Sequence, residues 1–341
     1  MFYYLSENNT EGTNAGNKAR NDAEKILETR NSIAIPAPTL GKELPHGNRL
    51  LFFIKNQLYW NKIKRIPQGK NFFVQYPLQA QFKGQEKKIT YNYLFNRLAK
   101  RFKVTVLIHD LTDLRGDDKK SSADDLKKAD YIICHNSSME HYLIQKGIDA
   151  SKLINLKIFD YLISRENISN HYNDEATICF AGNLNKSKFI YNLPQDVKEL
   201  GINLYGVGYS GKEEGIKYWG SFGSEEISSI IRGKFGLIWD GEDYRSCVGL
   251  TGNYLKYNNP HKLSMYLVAN MPVIIWNQAA EAEFVRKNKV GILINSLADL
   301  PSVLTALSKE DYELMRNNVQ KIKEKLEKGE YLKSALDRAN I

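Results

Sequence analysis

Apolar runs of strand length alternate with amphipathic segments of helix length along nearly the whole chain. Predicted strands cover residues 1–6, 32–38, 71–78, 103–110, 131–136, 176–184, 203–208, 235–241, 272–276 and 290–294. Predicted helices cover residues 23–30, 49–66, 91–102, 121–129, 138–147, 225–234 (with Ser224 as N-cap), 261–269 and 279–288, followed by two C-terminal helices. This alternation is typical of βαβ units, so we predict an α/β fold with doubly wound parallel sheets.

The length of 341 residues favours two domains, because a domain usually contains roughly 100–200 residues. Residues 164–176 are polar and lack any period, which is typical of a linker. We therefore predict an N-terminal domain at 1–165 and a C-terminal domain at 166–341. The final helix is expected to pack back on the first domain.

The net charge of +9 favours an anionic partner, such as nucleic acid, anionic lipid or a phosphorylated substrate. A basic surface that only promotes solubility explains the same number. No apolar run approaches the roughly 20 residues that span a bilayer, and the start lacks a signal-peptide pattern, so we predict a cytoplasmic protein. Three widely spaced cysteines predict buried thiols and no disulfide framework.

Polar residues follow four of the predicted strands. They are residues 10–18, His109 with Asp110, Asn183 to Lys186, and Asp240 with Gly241. Ordinary turn chemistry explains any one of them. Ligands of open α/β sheets bind outside the carboxyl ends of the strands, so polar residues after four strands favour a ligand site.

The segment from Tyr257 to Lys262 leads into a helix whose first turn contains His261 and Lys262. Basic side chains at a helix start oppose the helix dipole, which favours acidic groups there. A bound diphosphate would remove this conflict, since it would meet free backbone N–H groups and an ammonium together. A solvated lysine at a helix start is the alternative.

Motifs of several other enzyme classes are absent from the sequence. There is no His-Glu-x-x-His, Cys-x-x-Cys, Gly-x-Ser-x-Gly or P-loop pattern, and the segment GTNAG at 12–16 is only a shortened form of the dinucleotide fingerprint. Zinc enzymes, serine hydrolases of that type, P-loop enzymes and NAD-dependent enzymes are therefore disfavoured.

Five segments together resemble one family, the bacterial galactofuranosyltransferases, which also includes the glucosyltransferases that extend O-linked GlcNAc on serine-rich adhesins. They are VLIHDLTDLR (106–115), FAGNL (180–184), YWGSFGSEEI (218–227), FGLIWDG (235–241) and NNPHKLSMYLVANMPVI (258–274). The resemblance implies the GT-B fold, in which two Rossmann-like domains face a central cleft. A GT-A enzyme would need an Asp-x-Asp metal motif, which Asp240 to Asp243 only approximates.

The resemblance also implies transfer of a hexose, galactofuranose or glucose, from a UDP-sugar to a glycan hydroxyl, without an obligatory metal or other cofactor. Bacterial polysaccharide or glycoprotein biosynthesis is the expected context. The nucleotide-sugar site is expected at Gly182, Asn183, Lys186, Asp240, Gly241, Tyr257, Asn258, His261 and Lys262. The acceptor site is expected at Thr13, Asn14 and Gly16.

Met265 stands where retaining GT-B enzymes carry a Glu, about seven residues before the Pro that begins the next strand. This departure predicts an inverting mechanism, which needs a general base for the attacking hydroxyl. Asp110 is the first candidate, and His109 and Asp113 are alternates.

Two other functions fit parts of the sequence. A nucleotide-sugar-binding subunit that lacks catalysis would have the same fold. A nucleic-acid binder would use the positive charge and the 20 tyrosines, but no RRM, KH or zinc-finger pattern is present, so no nucleic-acid partner is expected.

The remaining expectations concern partners. The acceptor is a glycan, a glycoprotein or a lipid-linked glycan, and a homo-oligomer is a further expectation. Helix 49–66 interleaves apolar and aromatic residues with Arg and Lys, so it either packs on the sheet or rests on the inner face of an anionic membrane.

Overall fold

Two six-stranded parallel sheets form the framework of the protein in a computed structural model. The structure describes residues 1–7, 15–37, 49–78, 95–115, 122–163 and 176–341. The strand orders are β2-β1-β3-β4-β5-β6 and β12-β11-β10-β7-β8-β9. Thr13, Asn14 and the predicted linker up to residue 175 lie outside the described residues.

The first sheet and its helices come from the N-terminal half. The strands are β1 (Phe2–Ser6), β2 (Ser32–Pro36), β3 (Asn71–Tyr76), β4 (Lys103–Ile108), β5 (Tyr131–Cys134) and β6 (Leu153–Asn155). The helices are α1 (Ala15–Glu28), α2 (Arg49–Ile63), α3 (Ala123–Leu126) and α4 (Ser137–Gln145). The central strands β3 and β4 are buried along nearly their whole length, which is why they read as continuous apolar runs.

The second sheet has the same design. Its strands are β7 (Ile178–Ala181), β8 (Ile202–Tyr205), β9 (Ile216–Tyr218), β10 (Phe235–Ile238), β11 (Val273–Trp276) and β12 (Gly291–Ile294). The helices of this half are α5 (Gln195–Lys198), α6 (Ile227–Ile230), α7 (Gly249–Tyr254), α8 (His261–Val268), α9 (Ala282–Asn288), α10 (Leu300–Ala306), α11 (Lys309–Glu327) and α12 (Glu330–Arg338).

The last helix, α12, returns to the first sheet. Leu332, Ala335 and Leu336 lie in a buried cluster with Phe2 and Ile26 of the first half. The start of α12 is fixed by Asp160, whose carboxylate accepts hydrogen bonds from the backbone N–H groups of Tyr331 (3.2 Å) and Leu332 (2.7 Å). The chain therefore passes between the two sheets twice, once near Asp160 and once before α12.

All ten predicted strands are present, with ends that differ by a few residues. The prediction missed β6 and β9, which are only three residues long and contain Asn155, Lys217 and other polar side chains. It also missed α7. The helix predicted at 225–234 is limited to Ile227–Ile230 with Glu226 at the N-cap position, so the prediction of Ser224 as N-cap is wrong.

The three cysteines are buried free thiols, as the sequence predicts. Within the described ranges, no helix combines the length and the apolar character needed to cross a bilayer.

Candidate functional site

The carboxyl ends of the two sheets carry the predicted site residues. We call the residues that follow β1, β3, β4 and β5 the first-sheet edge; they include Glu7, Pro77, His109 with Asp110, and His135 with Asn136. We call the residues that follow β7, β8 and β10, together with the start of α8, the second-sheet edge; they include Gly182 to Lys186, Gly206, Trp239 to Gly241, and Lys262.

His109 belongs to a buried polar network on the first-sheet edge. Its Nε2 donates to Oε1 of Gln75 at 2.7 Å, and its ring stacks on Phe159 with 5.4 Å between centroids. Nearby, the Arg20 guanidinium donates to Glu7 at 2.6 Å, and both side chains are buried. Burial and the charge of Arg20 hold the pKa of His109 well below its usual value, so this imidazole is neutral and a weak base.

Asp110 follows β4 directly and contacts the second half of the chain. One carboxylate oxygen pairs with Arg115 at 2.8 Å, and the other accepts a hydrogen bond from the Tyr254 hydroxyl at 3.2 Å. The same hydroxyl accepts from the backbone N–H of Leu111 at 3.1 Å. Burial raises the pKa of Asp110 although Arg115 opposes the shift, and a raised pKa makes this carboxylate a better proton acceptor.

Asp113 holds local structure together. Its carboxylate accepts hydrogen bonds from the Ser122 hydroxyl at 2.7 Å, the Ser122 backbone N–H at 3.2 Å and the Tyr142 hydroxyl at 2.8 Å. These three hydrogen bonds connect the Asp113 carboxylate to Ser122 and to α4.

Lys262 lies at the second-sheet edge, in the first turn of α8. Its Nζ donates to Asp240 at 2.8 Å and to the Trp239 carbonyl at 3.1 Å, and it lies over the Phe180 ring at 4.9 Å. Pro260 occupies the N-cap position without a side-chain hydrogen bond. Lys262 and Asp240, assigned to one ligand by the sequence, are therefore direct partners.

His261 behaves differently from its neighbour. Its ring stacks on Tyr161 at 4.9 Å, and its Nε2 is buried without a hydrogen-bond partner. Burial and the nearby Lys18 charge lower its pKa to about 3, so the ring is neutral. The expected conflict of two cations with the helix dipole is thus resolved within the protein, because burial neutralises His261 and Asp240 compensates Lys262.

Glycines permit close backbone contacts between the loops after β7 and β8, and within the loop after β10. Gly206 has a φ of +127°, and a Cβ on it would lie 1.8 Å from the carbonyl oxygen of Gly182. Gly241 has a φ of +108°, and a Cβ on it would lie 2.3 Å from the Val248 carbonyl oxygen. Only glycine is compatible with such contacts at positive φ.

Two further predicted residues of this edge, Asn183 and Lys186, are exposed to solvent. The Asn183 side chain accepts a hydrogen bond from the backbone N–H of Asn185 at 3.1 Å, which shapes the turn. Of the predicted acceptor residues, Gly16 lies exposed in the first turn of α1.

Tyr257 and Asn258 join the two edges. Their carbonyl oxygens accept hydrogen bonds from the Asn136 side chain at 3.1 and 3.4 Å. The Tyr257 ring packs edge-on against Tyr142 of α4, and the Asn258 Oδ1 atom is buried without a hydrogen-bond partner. The segment before α8 is therefore in contact with the first sheet.

Several residues of this region were missed by sequence reasoning, namely His135, Asn136, Tyr254 and Glu281. A signal for two of them was present, because His135 and Asn136 follow β5 just as His109 and Asp110 follow β4. Tyr254 and Glu281 had no such signal, since their positions depend on packing between the halves.

Carboxylates near the second-sheet edge face cationic side chains. Asp240 pairs with Lys262, and Asp243 pairs with Arg245 at 3.1 Å. In the part of the chain that the structure describes, no three His, Cys, Asp or Glu residues are grouped in a way that could hold a metal ion.

Comparisons with known sequences agree on one family. Residues 2–158 match the family described as "Glucosyltransferase 3-like, N-terminal domain", and residues 178–339 match the corresponding C-terminal domain. The chain is 33% identical to the beta-1,6-galactofuranosyltransferase WbbI of Escherichia coli K12, over 98% of this chain and 97% of that protein. It is 24% identical to glucosyltransferase 3 of Streptococcus gordonii over 61% of each chain.

Comparisons with solved structures agree on the fold. The Anabaena protein HepE in complex with UDP superposes with a TM-score of 0.57 at 12% identity, over 99% of this chain and 98% of that one. The lipopolysaccharide outer core galactosyltransferase WaaB gives a TM-score of 0.56 at 12% identity, over 98% of both chains. With two Rossmann-like sheets in the GT-B arrangement and a full-length relative at 33% identity, the chain belongs to the glucosyltransferase 3-like family of glycosyltransferases.

Proposed function

We propose that the protein transfers a hexose, galactofuranose or glucose, from a UDP-sugar to a hydroxyl of a glycan acceptor, with inversion and without an obligatory metal. A full-length relative is named as a beta-1,6-galactofuranosyltransferase, and a neighbour of the same fold was solved with UDP. The family resemblance at 258–274 adds the expectation of a nucleotide sugar at α8.

The observation that carries the proposal is the position of Lys262 in the first turn of α8, over the Phe180 ring at the end of β7 and beside the loop after β10. A diphosphate at this position would meet the Lys262 ammonium and the N–H groups of the helix start together. Asp240, which now compensates Lys262 at 2.8 Å, would give way to the phosphate and become available to the ribose or base.

Inversion is supported by the chemistry of α8 and of the first-sheet edge. Met265 is buried in α8, so the place of the glutamate of retaining enzymes holds an apolar side chain. Asp110 would take the proton of the acceptor hydroxyl as its oxygen bonds to the anomeric carbon. The bond from that carbon to the diphosphate breaks on the opposite face, and UDP leaves.

A thermal-stabilisation panel of UDP-sugars tests the donor. A ligand at 100 times its dissociation constant adds about 2.7 kcal/mol to the free energy of unfolding, which shifts the melting temperature measurably. UDP-galactofuranose and UDP-glucose should stabilise the protein more than ADP-glucose does. Equal responses to all nucleotides, or to none, would contradict a UDP-sugar donor.

A transfer assay tests the reaction itself. Release of UDP should require a glycan acceptor and persist in a chelator such as EDTA, and NMR of the product should show the opposite anomeric configuration to the donor. Loss of turnover in the chelator, restored by a divalent cation, would contradict the metal-independent mechanism. Binding of UDP-sugar without transfer to any acceptor would favour the non-catalytic subunit.

A peripheral contact with an anionic membrane is part of the same proposal. On α2, Trp60 and Ile63 are buried in the core, whereas Ile54 and Leu58 are 47% and 59% exposed. Lys62 is also exposed on this helix. A helix with one core face and an exposed apolar and basic surface suits the headgroup region of a bilayer.

Vesicle co-sedimentation tests this contact. Binding should be seen with anionic vesicles at low salt, fade at high salt, and weaken in Leu58→Glu. Leu314→Glu is the matched control, because Leu314 is 46% exposed on α11 in the other half. If the protein stays in the supernatant with anionic vesicles, the membrane contact is excluded.

Light scattering of the same sample tests the expected homo-oligomer.

A further inference from the structure

Asn136, at the end of β5, contacts three groups of the second half with one side chain. Its Nδ2 donates to the Glu281 carboxyl at 2.9 Å and to the carbonyls of Tyr257 and Asn258 at 3.1 and 3.4 Å. Its Oδ1 accepts from the backbone N–H of Met139 at 3.0 Å and caps α4. The amide thus fixes its own helix and the segment from Tyr257 to Pro260 at the same time.

His135 holds the same segment one residue further along. Its Nδ1 accepts a hydrogen bond from the Asn259 backbone N–H at 3.0 Å, while its Nε2 donates to the Ile108 carbonyl at 2.9 Å. The ring is 1% exposed, and burial lowers its pKa to about 4. The imidazole is therefore neutral near pH 7, with Nδ1 free of a proton and able to accept.

The segment held by these two side chains continues into α8, where Pro260 is the N-cap residue and Lys262 lies in the first turn. Glu281, which accepts the shortest of the Asn136 hydrogen bonds, is 1% exposed, and burial raises the pKa of its carboxyl well above the usual value. The hydrogen bonds from Asn136 to Glu281 and from the Asn259 N–H to His135 are buried, so water does not replace them easily when they are lost. The placement of the start of α8 thus depends on the first sheet.

We propose that His135 and Asn136 are positioning residues of the donor site, which hold the segment Tyr257–Pro260 so that the start of α8 is ready to receive the donor diphosphate. This inference rests on the proposed function, because it takes α8 as the diphosphate site. When the contacts are lost, the segment samples other conformations. The apparent dissociation constant for UDP then rises in inverse proportion to the fraction that remains competent.

The variant Asn136→Asp isolates the contacts between the halves. Aspartate is as good an N-cap as asparagine, so the cap of α4 is retained. Both N–H donors are lost, however, and a carboxylate then faces the carbonyl oxygens of Tyr257 and Asn258. If the competent fraction falls to a tenth, the UDP dissociation constant and the donor KM rise about tenfold. The kcat at saturating donor and the acceptor KM should stay close to wild type.

Asn155→Asp is the matched control. Asn155 ends the neighbouring strand β6, and its side chain contacts Ser137 and Lys157 within the first half. The control should leave the UDP dissociation constant unchanged. Equal weakening in the control and in Asn136→Asp would overturn the inference.

A second pair of variants decides the question if Asn136→Asp does not fold. His135→Leu removes the acceptor for the Asn259 N–H and should weaken UDP binding, whereas His135→Asn returns an acceptor oxygen near the place of Nδ1 and should restore part of the affinity.

The outcomes separate this inference from the proposed function. If wild type binds no UDP, the proposed function fails. If wild type binds UDP and both Asn136→Asp and His135→Leu bind it equally well, the proposed function stands and the positioning role is wrong.

Discussion

The two sheet edges that carry the candidate site differ in the groups that form them, side chains on one and mainly backbone on the other. On the first-sheet edge, polar side chains satisfy one another in a buried network, as in the pairs of Arg20 with Glu7 and His109 with Gln75. On the second-sheet edge, backbone predominates, with Gly182 against Gly206 and exposed side chains at Asn183 and Lys186. Fixed side chains suit proton transfer, and close-packed backbone loops with a helix start suit recognition of phosphate.

The largest expected effect separates the two edges by chemistry. Asp110→Asn should lower the transfer rate about 10²- to 10⁴-fold, because the amide cannot take the acceptor proton. UDP affinity should be unchanged, because Asp110 is neither part of the proposed diphosphate site at α8 nor one of the residues that position it. Steady-state kinetics with UDP titration measures both quantities.

Asp113→Asn serves as the control for Asp110→Asn. The Asp113 carboxylate is held by the Ser122 and Tyr142 hydroxyls, so its replacement should affect stability more than rate. Near-normal turnover in Asp110→Asn, with a large loss in Asp113→Asn or a His109 variant, would move the base to that residue.

The second prediction tests whether the second-sheet edge depends on close backbone approach. Gly206→Ala should lower the free energy of unfolding by about 3 kcal/mol, since positive φ and a clash with the Gly182 carbonyl both act against alanine. Gly69→Ala, at a φ of +78° with no atom within 4 Å of the added carbon, should cost only about 1 kcal/mol. Equal losses in urea unfolding would show that the Gly182 contact is unimportant.

The third prediction concerns charge on the second-sheet edge. Lys262→Ala should weaken UDP binding by about 1.5–3 kcal/mol, the range of a hydrogen bond to a charged group, and leave the fold intact. Lys287→Ala, on the exposed surface of α9, should leave UDP binding unchanged. Calorimetric titration with UDP measures the affinity of both variants. If Lys262→Ala binds UDP as tightly as wild type does, Lys262 is not part of the UDP site.

The smallest effect concerns Asp160, which fixes the start of α12 near the passage of the chain between the two sheets. Burial raises the pKa of Asp160 to about 7, so the folded protein binds this proton more tightly than the unfolded chain does. Its contribution to stability is therefore largest at low pH and is lost as the pH rises through about 7. As the pH falls from 7 towards 4, the free energy of unfolding of wild type should rise relative to that of Asp160→Asn, by up to ~1.4 kcal/mol per pH unit.

Asp149→Asn is the control for this pH dependence. Asp149 is exposed, and the hydrogen bond from the Ser151 backbone lowers its pKa. This carboxyl therefore changes its protonation, and its contribution to stability, only at a pH below the range of the test. In urea unfolding, the difference in free energy of unfolding between Asp149→Asn and wild type should be the same at pH 5 and pH 8. A flat difference for Asp160→Asn as well would contradict the raised pKa.

The sequence predicted the framework well because buried parallel strands are continuous apolar runs. It failed where an element is short or depends on tertiary contact, as for β6, β9 and α7, since three polar-interrupted residues carry no period. For the candidate site, the rule that ligands bind after strands pointed to residues that the structure places at both sheet edges. It could not find that Lys262 pairs with Asp240, that His261 is neutral, or that Tyr254 contacts Asp110, because these follow from packing between distant segments.

The return of α12 to the first sheet has a consequence for protein synthesis. Leu332 and Leu336 belong to the same cluster as Phe2 and Tyr4, so the first half cannot finish its core when its own residues have emerged from the ribosome. Chain growth is vectorial, and the N-terminal part usually folds first. Here the first half completes this part of its core only after α12 has been synthesised.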